Sequence, residues 1–354
     1  MKRRAFLKVV GGAAGGYALT STPILGGETP PAGQPVDKVA GLPYRVLGRT
    51  GQKVSVVGFP GLALIHYDQD RCNSALRDAF DRGVNYFDVA PAYGNGQCET
   101  KMGIGLQGLD RRKIFLACKT KKRDKDGARQ ELEQSLKLLK TDHFDLYQMH
   151  HLVSPQEVKQ ALGPGGAIET FLQAKEEGKV KHFGFSAHTT KGALEALKAF
   201  RFDTAMFPIN FVEYLNRDFG RDVLEMARQQ GTAVLAIKPL SWGAWPDGMP
   251  RSRQWWYRTV DDSKEVELVL RFTLSQPGVV AGIPPSFLDL LDKTIEAAKA
   301  FRPIDPAGTE QLRKMAANCG SIFVQEEQRV ASNLPCSIPI HPDSPHEGCG
   351  GHWA

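Results

Sequence analysis

The sequence lacks the marks of several broad protein classes. Its mean hydropathy of −0.31 excludes a polytopic membrane protein, because several membrane spans would raise that value. No run of basic residues is interleaved with aromatic residues, and the net charge falls from +6 to +2 when the four basic residues before Glu28 are set aside. Composition therefore gives no reason to expect a nucleic-acid partner. The 354 residues fit either two average domains or one large α/β barrel with extensions.

A Rossmann dinucleotide-binding loop is also missing. The glycine-rich stretch GGAAGG at residues 11–16 follows no strand and opens no βαβ unit, which such a loop requires. The basic cluster at residues 119–129 is typical of a solvated loop and helix start, with a phosphate contact as the alternative.

The first 27 residues have the layout of a secretory signal. A basic start is followed by a weakly apolar stretch rich in Gly and Ala, and then by a segment rich in Pro and Gly. The pair Arg3 and Arg4, followed by Phe6, Leu7 and Lys8, resembles the twin-arginine (Tat) signal of exported bacterial proteins. The alternative is a chance basic start on a cytoplasmic protein.

A twin-arginine signal implies export of the folded chain by the Tat machinery to the periplasm or cell envelope. Because no clean A-x-A cleavage site is present, an uncleaved signal would leave a membrane tether. We therefore predict a signal-like segment at residues 1–27 and a linker at residues 28–41.

Short apolar runs recur along the chain from about Leu42. A hairpin is predicted at residues 44–55, and eight strand-like runs lie near Val54, Tyr86, Ile114, Leu146, Val180, Ala205, Val234 and Val280. Segments with helical spacing and glycine stops separate the runs, such as QELEQSLKLLK, AIETFLQAKEEGK and DVLEMARQQG. This alternation over residues 42–301 predicts a (β/α)8 TIM barrel, with a carboxyl-terminal extension at residues 302–354.

Polar residues stand at or near the carboxyl ends of six successive runs: Asp88, Lys119, His150, Ser186, Asn210 and Lys238. Polar residues are common at strand ends, so any one of them alone carries little weight. In a TIM barrel, however, these ends form one rim on which active sites are built. We therefore predict that the six side chains share one site.

A Tyr, a Lys, an Asp and a His on one rim suit the reduction of a carbonyl group. Hydride transfer to a carbonyl carbon produces an alkoxide, which needs a proton from a general acid. A lysine cation lowers the pKa of a tyrosine toward this role, and a paired carboxylate keeps the lysine charged. A histidine orients the carbonyl oxygen through a hydrogen bond. The stretch YFDVAPAYGNG supplies Asp88 and Tyr93 for such an arrangement.

These motifs resemble those of the aldo-keto reductase family. NYFDVAPAYGNGQCETKMGIGL, LACKT and DLYQMHHL are similar to its catalytic segments, and VKHFGFSAH, AIKPL and GVVAGIPPS follow in the family's order. The resemblance implies a tetrad of Asp88, Tyr93, Lys119 and His150, an NAD(P)H-dependent oxidoreductase activity and a small-molecule carbonyl substrate. Strand alternation admits only one of two neighbouring histidines to the barrel interior. The family motif selects His150, which leaves His151 a substrate-loop or structural role.

The resemblance also implies that NADP(H) lies extended over the barrel rim. It assigns cofactor contacts to Asp88, Ser186, Asn210, Lys238, Pro239, Leu240 and Ser286. The chain departs from the family's pattern at Met206, where a Gln is common, at Ile237, where an aromatic residue stacks, and at Leu291, where an Arg pairs with the 2′-phosphate. NAD(H) is therefore the alternative cofactor.

The six cysteines are divided between the barrel and the extension. Three are predicted as buried or helix-surface thiols of the barrel: Cys72, Cys98 and Cys118. The other three lie beyond Phe301, without a CxxC pair, so no metal site is assigned: Cys319, Cys336 and Cys349. The tail is predicted to cover the barrel as an ordered or loose segment, with a Cys336–Cys349 disulfide and a metal site as alternatives.

Two functions from different classes stay open on the sequence alone. The complete tetrad favours a reductase. The export signal motivates a barrel that binds a ligand or partner in the cell envelope without turnover, or that keeps its cofactor bound, since the space outside the inner membrane has no evident supply of NADPH. Trp255 and Trp256 indicate a ring-bearing or apolar substrate, with packing anchors as the alternative.

Overall fold

The computed structural model describes residues 35–334 of the chain. The twin-arginine-like segment, the first half of the predicted linker, and the tail cysteines Cys336 and Cys349 lie outside the described residues. Within residues 35–334, no helix has both the length and the apolar character needed to span a membrane.

A small antiparallel sheet precedes the barrel, with strands β1 (Asp37–Val39), β2 (Leu42–Val46) and β3 (Lys53–Ser55). Strands β2 and β3 form the predicted hairpin, and the turn between them ends at Gly51, whose φ of 71° favours glycine. Strand β1 lies within the predicted linker, where three residues are too few to show the alternation of a strand. The predicted hairpin is therefore part of a three-stranded sheet.

Eight parallel strands form the barrel in the order of the sequence. They are β4 (Gly58–Pro60), β5 (Tyr86–Asp88), β6 (Phe115–Thr120), β7 (Phe144–Leu152), β8 (Val180–Ala187), β9 (Thr204–Pro208), β10 (Ala233–Ile237) and β11 (Val279–Ile283). Strands β11 and β4 meet through a parallel bridge between Val57 and Gly282, so the barrel is nearly closed. The predicted α/β barrel is confirmed, and the predicted run near Val54 is divided between β3 and β4.

Helices connect the strands and surround the barrel. Between residues 35 and 334 they are α1 (Gln69–Asp81), α2 (Gln97–Gly105), α3 (Lys125–Leu138), α4 (Pro155–Leu162), α5 (Ala167–Glu176), α6 (Thr190–Ala199), α7 (Phe211–Arg217), α8 (Arg221–Gln230), α9 (Ser263–Leu274), α10 (Leu288–Lys299), α11 (Pro306–Ala316) and α12 (Val324–Ala331). The three predicted helical segments correspond to α3, α5 and α8. Asp124 caps α3 by accepting a hydrogen bond from the Gly127 backbone N–H, and the left-handed Gly231 ends α8.

Side-chain alternation along the strands divides the core into two layers. Tyr86 and Leu146 belong to the cluster inside the barrel. Tyr147, the next residue after Leu146, packs instead on Phe171 of α5, in the layer between barrel and helices. The same alternation turns His150 of β7 inward, toward the rim at the carboxyl ends of the strands.

The segment that follows the barrel packs on it through a buried carboxylate. Glu213 of α7 accepts hydrogen bonds from the Ile322 backbone N–H at 2.7 Å and from Ser321 Oγ at 2.8 Å. Phe323 then stacks on Phe219, with ring centroids 5.0 Å apart. These contacts fix the start of α12 beside the barrel rim.

Replacing Glu213 with Gln should lower the free energy of unfolding by about 1 to 2 kcal/mol, because a neutral amide accepts the two hydrogen bonds more weakly than a buried carboxylate. Chemical denaturation measures the change. The matched control is Glu225→Gln on the exposed face of α8, which should change the stability by less than about 0.5 kcal/mol. Equal losses in the two variants would contradict the role given to Glu213.

Candidate active site

Asp88 and Lys119 form a buried ion pair on neighbouring strands. Asp88 ends β5, and the parallel strand β6 places Ala117 opposite it, so Lys119 lies two residues closer to the rim. Lys119 Nζ donates to Asp88 Oδ1 and also, at 3.2 Å, to Val89 O. Both charged side chains are almost fully buried. The register of two strands thus brings together charges that are distant in sequence.

Tyr93 returns to this pair through the loop after β5. The loop turns at Ala90, whose carbonyl accepts from the Tyr93 backbone N–H at 3.0 Å, and at Gly94, whose φ is 60°. Lys119 Nζ donates to Tyr93 Oη at 3.2 Å and lies 4.9 Å from the centre of the tyrosine ring. The phenol therefore lies within direct hydrogen-bonding distance of the ammonium group.

His150 stands on the other side of Tyr93. The two rings meet edge to face at 88°, with centroids 5.7 Å apart. One cavity at the rim is lined by Asp88, Tyr93 and His150 together with residues from most of the surrounding strand ends and loops, namely Leu62, Ser186, His188, Met206, Ile237, Lys238, Trp255, Trp256, Tyr257, Ile283, Pro284, Pro285 and Ser286. The structure thus brings all four residues of the predicted tetrad to one place.

Two further residues support the tetrad and were missed in the sequence. Tyr86 Oη donates to Asp88 Oδ2 at 3.0 Å, and Gln148 Nε2 approaches the same oxygen at 3.4 Å. The second carboxylate oxygen is thereby hydrogen-bonded inside the barrel. Each of the two stands two residues before a tetrad member, Tyr86 before Asp88 and Gln148 before His150, so strand alternation was the signal that could have identified them.

Burial has the largest effect on the pKa values of Tyr93 and Lys119. It raises the pKa of Tyr93 to about 12, against the opposing effect of the Lys119 ammonium. Burial also disfavours the ammonium of Lys119, but the nearby Asp88 and Tyr93 outweigh it and raise the pKa of Lys119. Lys119 acts in the expected direction on the pKa of Tyr93, but the expected net lowering of that pKa is corrected, because burial has the larger effect. Asp88 neutralises much of the lysine's charge, and desolvation of the phenol prevails.

The structure places some of the predicted cofactor residues in the cavity lining and others outside it. Ser186, Lys238 and Ser286 line the cavity, and so do Met206 and Ile237. The cavity lining does not include the remaining three, which are buried beside it: Asn210, Pro239 and Leu240.

Asn210 is the amino-terminal cap of α7. Its Oδ1 accepts from the Glu213 backbone N–H at 3.0 Å, and the side chain is fully buried. An Asn followed three residues later by Glu is a helix-start signature that the sequence displayed. The structure thus gives Asn210 a capping role in the folded barrel.

His151 does not line the cavity, and its backbone N–H holds it in place through a hydrogen bond. Its φ is 60°, an unusual value for a residue other than glycine, and its backbone N–H donates to Ser186 Oγ at 2.7 Å. The His151 ring packs edge to face on His188, with centroids 4.5 Å apart. His151 therefore joins strand β7 to the segment after β8.

A cluster of potential ligand groups lies beside His151. His151, His188 and Glu326 are buried, and their ligand atoms lie within 4.8 Å of one another. Two imidazoles and a carboxylate are chemistry that zinc uses. However, Arg329 lies 3.4 Å from Glu326, and Lys238 Nζ lies 3.1 Å from His188 Nε2. Because a dication would meet these positive groups, we assign no metal to the cluster.

The rim near Ser286 offers few cations for a phosphate. Leu291, at the position where an Arg was expected, is buried in α10. Lys293 Nζ donates to Asp261 O at 2.6 Å. Arg253 pairs with the carboxylates of Asp261 and Asp289.

Trp255 and Trp256 are packing residues as well as part of the cavity lining, and the barrel cysteines are packing residues. Trp255 packs edge to face on Phe287, and Trp256 on Tyr257, so both also act as anchors. The predicted barrel thiols Cys72, Cys98 and Cys118 are free and buried, and Cys319 is free and partly buried.

Comparisons with known proteins identify the family of this chain. Residues 62–314, more than half of the chain, match the model of the aldo/keto reductase family. The uncharacterized oxidoreductase YrpG of Bacillus subtilis is 33% identical over 226 residues, which cover 56% of this chain and 67% of that protein.

Solved structures show the same fold. An aldo-keto reductase from Bacillus halodurans in its holo form is similar with a TM-score of 0.64 at 22% identity, covering 81% of this chain and 99% of the other. An aldo/keto reductase from Klebsiella pneumoniae in complex with NADP and acetate matches with a TM-score of 0.58 at 21% identity, covering 77% and 94%. With its barrel and the extent of the family match, this chain belongs to the aldo/keto reductase family of oxidoreductases.

Proposed function

We propose that this chain reduces an aldehyde or ketone to an alcohol, with NADP(H) or alternatively NAD(H) as the hydride donor. The observation that carries the proposal is the 3.2 Å contact between Lys119 Nζ and Tyr93 Oη at the cavity wall, with the His150 ring beside it. Reduction of a carbonyl group needs a proton donor at such a place, and Tyr93 is that donor.

Tyr93 keeps its proton until the substrate requires it. Because burial raises its pKa to about 12, the phenol stays protonated through the neutral range. As negative charge develops on the substrate oxygen, the proton moves from Tyr93 Oη to that oxygen. The Lys119 ammonium stabilises the phenolate that is left, and Asp88 keeps Lys119 charged.

His150 orients the carbonyl group beside Tyr93. Arg123 holds the backbone at this point, since its guanidinium donates to the carbonyl oxygens of His150 at 2.8 Å and of His151 at 3.0 Å. A hydrogen bond from the His150 imidazole to the substrate oxygen then places that oxygen next to the phenol that protonates it.

The cavity suits a nicotinamide ring. Its wall combines the hydroxyl groups of Ser186 and Ser286 with the apolar side chains of Met206 and Ile237. A flat ring with a polar amide edge fits such a mixture. The bound cofactor supplies the hydride, and the chain's own residues hold it and exclude water.

Selection for NADP(H) over NAD(H) is proposed to be weak. A 2′-phosphate is recognised by cations that are not already paired. On and around α10, Lys293 is bonded to the Asp261 backbone and Arg253 is paired with Asp261 and Asp289. Both cofactors are therefore candidates for this site.

We also propose that the Tat machinery exports the chain to the periplasm or cell envelope. The support is the sequence of residues 1–27, with Arg3 and Arg4 before an apolar stretch. Because the Tat machinery carries folded proteins, a cofactor bound before export travels with the barrel.

Replacing Tyr93 with Phe should lower kcat for carbonyl reduction by at least about 100-fold, because the variant keeps the ring but loses the proton donor. Steady-state kinetics on an unbiased panel of aldehydes and ketones measures the loss. Fluorescence titration with NADPH and NADH should show unchanged binding. The control is Tyr214→Phe on α7, outside the cavity lining, which should keep the parent's kcat.

Full activity in the Tyr93→Phe variant would exclude Tyr93 as the acid. If neither cofactor binds and no member of the panel is reduced, the reductase proposal fails. The alternative of a barrel that binds a ligand or partner without turnover would then take its place.

The rate constant of the reductive chemical step should stay within about threefold between pH 7 and pH 9.5. A group whose pKa is raised to about 12 remains protonated over this whole range, so the acid form of Tyr93 is not lost. Single-turnover stopped-flow measurement of cofactor oxidation gives the rate constant, with the melting temperature followed over the same range as the control. A fall with an apparent pKa at or below 9 would contradict the raised pKa.

Changing Arg3 and Arg4 together to Lys should stop export while keeping the positive charge, because the Tat receptor reads the arginine pair itself. Fractionation of a bacterial host should show the parent in the periplasm or envelope and the double variant in the cytoplasm. Lys8→Arg, which also preserves charge, is the control. Export of the double variant at the parent's level would rule out this route.

A further inference from the structure

Lys238 is a lysine of the active-site cavity wall, distinct from the buried Lys119 of the tetrad. It follows β10, and its side chain lines the same cavity as Tyr93 and His150, although the residue is only 5% exposed. Its φ of 58° is unusual for a residue with a side chain. Such backbone conformations concentrate at functional sites, where the surrounding structure maintains them.

The ammonium group of Lys238 has no carboxylate partner among residues 35–334. Its Nζ lies 3.1 Å from His188 Nε2 and between two aromatic faces, 5.5 Å from the Trp256 ring centre and 5.7 Å from that of Phe323. Within this part of the chain, no carboxylate oxygen comes within 4 Å of the Nζ. Glu326 is near, but Arg329 pairs with it.

This environment is costly for a cation. Burial lowers the pKa of Lys238 to about 7, and the more distant Glu326 offsets the effect only in part. Lys119, which is buried behind Tyr93 and Asp88, shows the opposite behaviour because it has Asp88 as its partner. A buried ammonium without a carboxylate destabilises the fold, which indicates that a ligand supplies the missing charge.

The surroundings favour an anion over any other ligand. Burial holds the pKa of His151 well below its usual value, and four nearby cations act in the same direction: Lys121, Arg123, Lys238 and Arg329. Among the described residues that line the cavity, the single carboxylate belongs to Asp88, which is already bonded to Lys119. Arg123 lies 3.5 Å from Glu157 and Arg329 lies 3.4 Å from Glu326, whereas Lys238 has no such partner between residues 35 and 334. An anion in this part of the cavity would therefore meet Lys238 as a cation that no carboxylate of the described chain contacts.

We propose that Lys238 and the adjacent His188 form an anion subsite that receives a carboxylate group carried by the carbonyl substrate. The inference rests on the proposed reductase function and names its substrate class, an aldehyde or ketone that also bears an acid group. Lys238 is then a residue that determines specificity, since its charge pairs with the substrate's carboxylate in a buried place.

The position of the ammonium group distinguishes the substrate from the cofactor as the source of the anion. Carboxylates and phosphates share the same acceptor chemistry, and the sequence assigned Lys238 to the cofactor. However, the neighbours of Nζ are His188 after β8 and Phe323 before α12. Ser286, at the predicted phosphate end, follows β11 on the other side of β10. The Nζ therefore contacts residues on the β8 and α12 side of the cavity, whereas Ser286 lies on its β11 side.

The first test compares two carbonyl substrates that differ in charge, 4-carboxybenzaldehyde and its neutral methyl ester. In the parent, kcat/KM should be higher for the acid. Lys238→Met should lower the ratio of the two kcat/KM values by at least about tenfold, and Lys238→Arg should retain most of it. The ratio cancels any effect that both substrates share. The matched control is Lys175→Met, since Lys175 also lies over an aromatic ring, that of Phe183, but outside the cavity lining.

The second test needs no turnover, so it separates this inference from the reductase proposal. Calorimetry should detect binding of 4-(hydroxymethyl)benzoate to the full chain loaded with cofactor, and much weaker binding of benzyl alcohol. Lys238→Met should reduce the carboxylate affinity by at least about tenfold, and Lys175→Met should leave it unchanged. This pattern would support the subsite even if no aldehyde were reduced.

The third measurement shows whether Lys238 is only a structural residue. The variant removes a buried ammonium group that no carboxylate from residues 35–334 contacts. The melting temperature of Lys238→Met should therefore equal or exceed that of the parent. A clear decrease, with an unchanged acid-to-ester ratio, would overturn the proposal. An unchanged ratio with at least tenfold weaker NADPH binding would overturn it as well, by assigning the lysine to the cofactor's phosphates.

Discussion

The buried ion pair between Asp88 and Lys119 is the constraint on which the site depends. Neither charge is tolerable alone inside a barrel, so the register of β5 and β6 must bring them into contact. The pair then determines its neighbours. Tyr86 and Gln148 satisfy the second carboxylate oxygen, and the loop after β5 returns Tyr93 to the ammonium group. Asp88 neutralises the lysine, and the ammonium group in turn determines where the Tyr93 hydroxyl group lies.

The two lysines near the rim show how a carboxylate partner changes the pKa of a buried ammonium group. Lys119 has a carboxylate in contact, and its pKa is raised despite burial. Lys238 has aromatic rings and an imidazole instead, and its pKa is lowered to about 7. The difference lies in the contacts: the first lysine has a carboxylate beside it, whereas the described residues around the second provide aromatic rings and an imidazole. In the proposed anion subsite, the opposite charge would arrive at Lys238 with the ligand.

The segment after the barrel contributes to the same wall. Glu213 binds the backbone at Ile322, and this contact places Phe323 against Lys238 and Glu326 near His151. Sequence positions beyond the family's matched residues 62–314 therefore form part of the cavity's surroundings. This arrangement is a physical reason for members of one barrel family to differ in the substrates that they accept, because loops and extensions form the wall while the strands hold the tetrad.

The sequence by itself determined the barrel fold and identified the four residues of the predicted tetrad. Strands that alternate with helices must form a parallel sheet, and residues at the ends of its strands must share a rim. It also contained signals that were overlooked, such as the alternation that places Gln148 beside His150 and the helix start at Asn210. Only the tertiary structure decided that burial prevails over Lys119 in raising the pKa of Tyr93, and that no carboxylate from residues 35–334 contacts Lys238. Both results depend on distances and desolvation among residues far apart in the chain, and no local pattern encodes them.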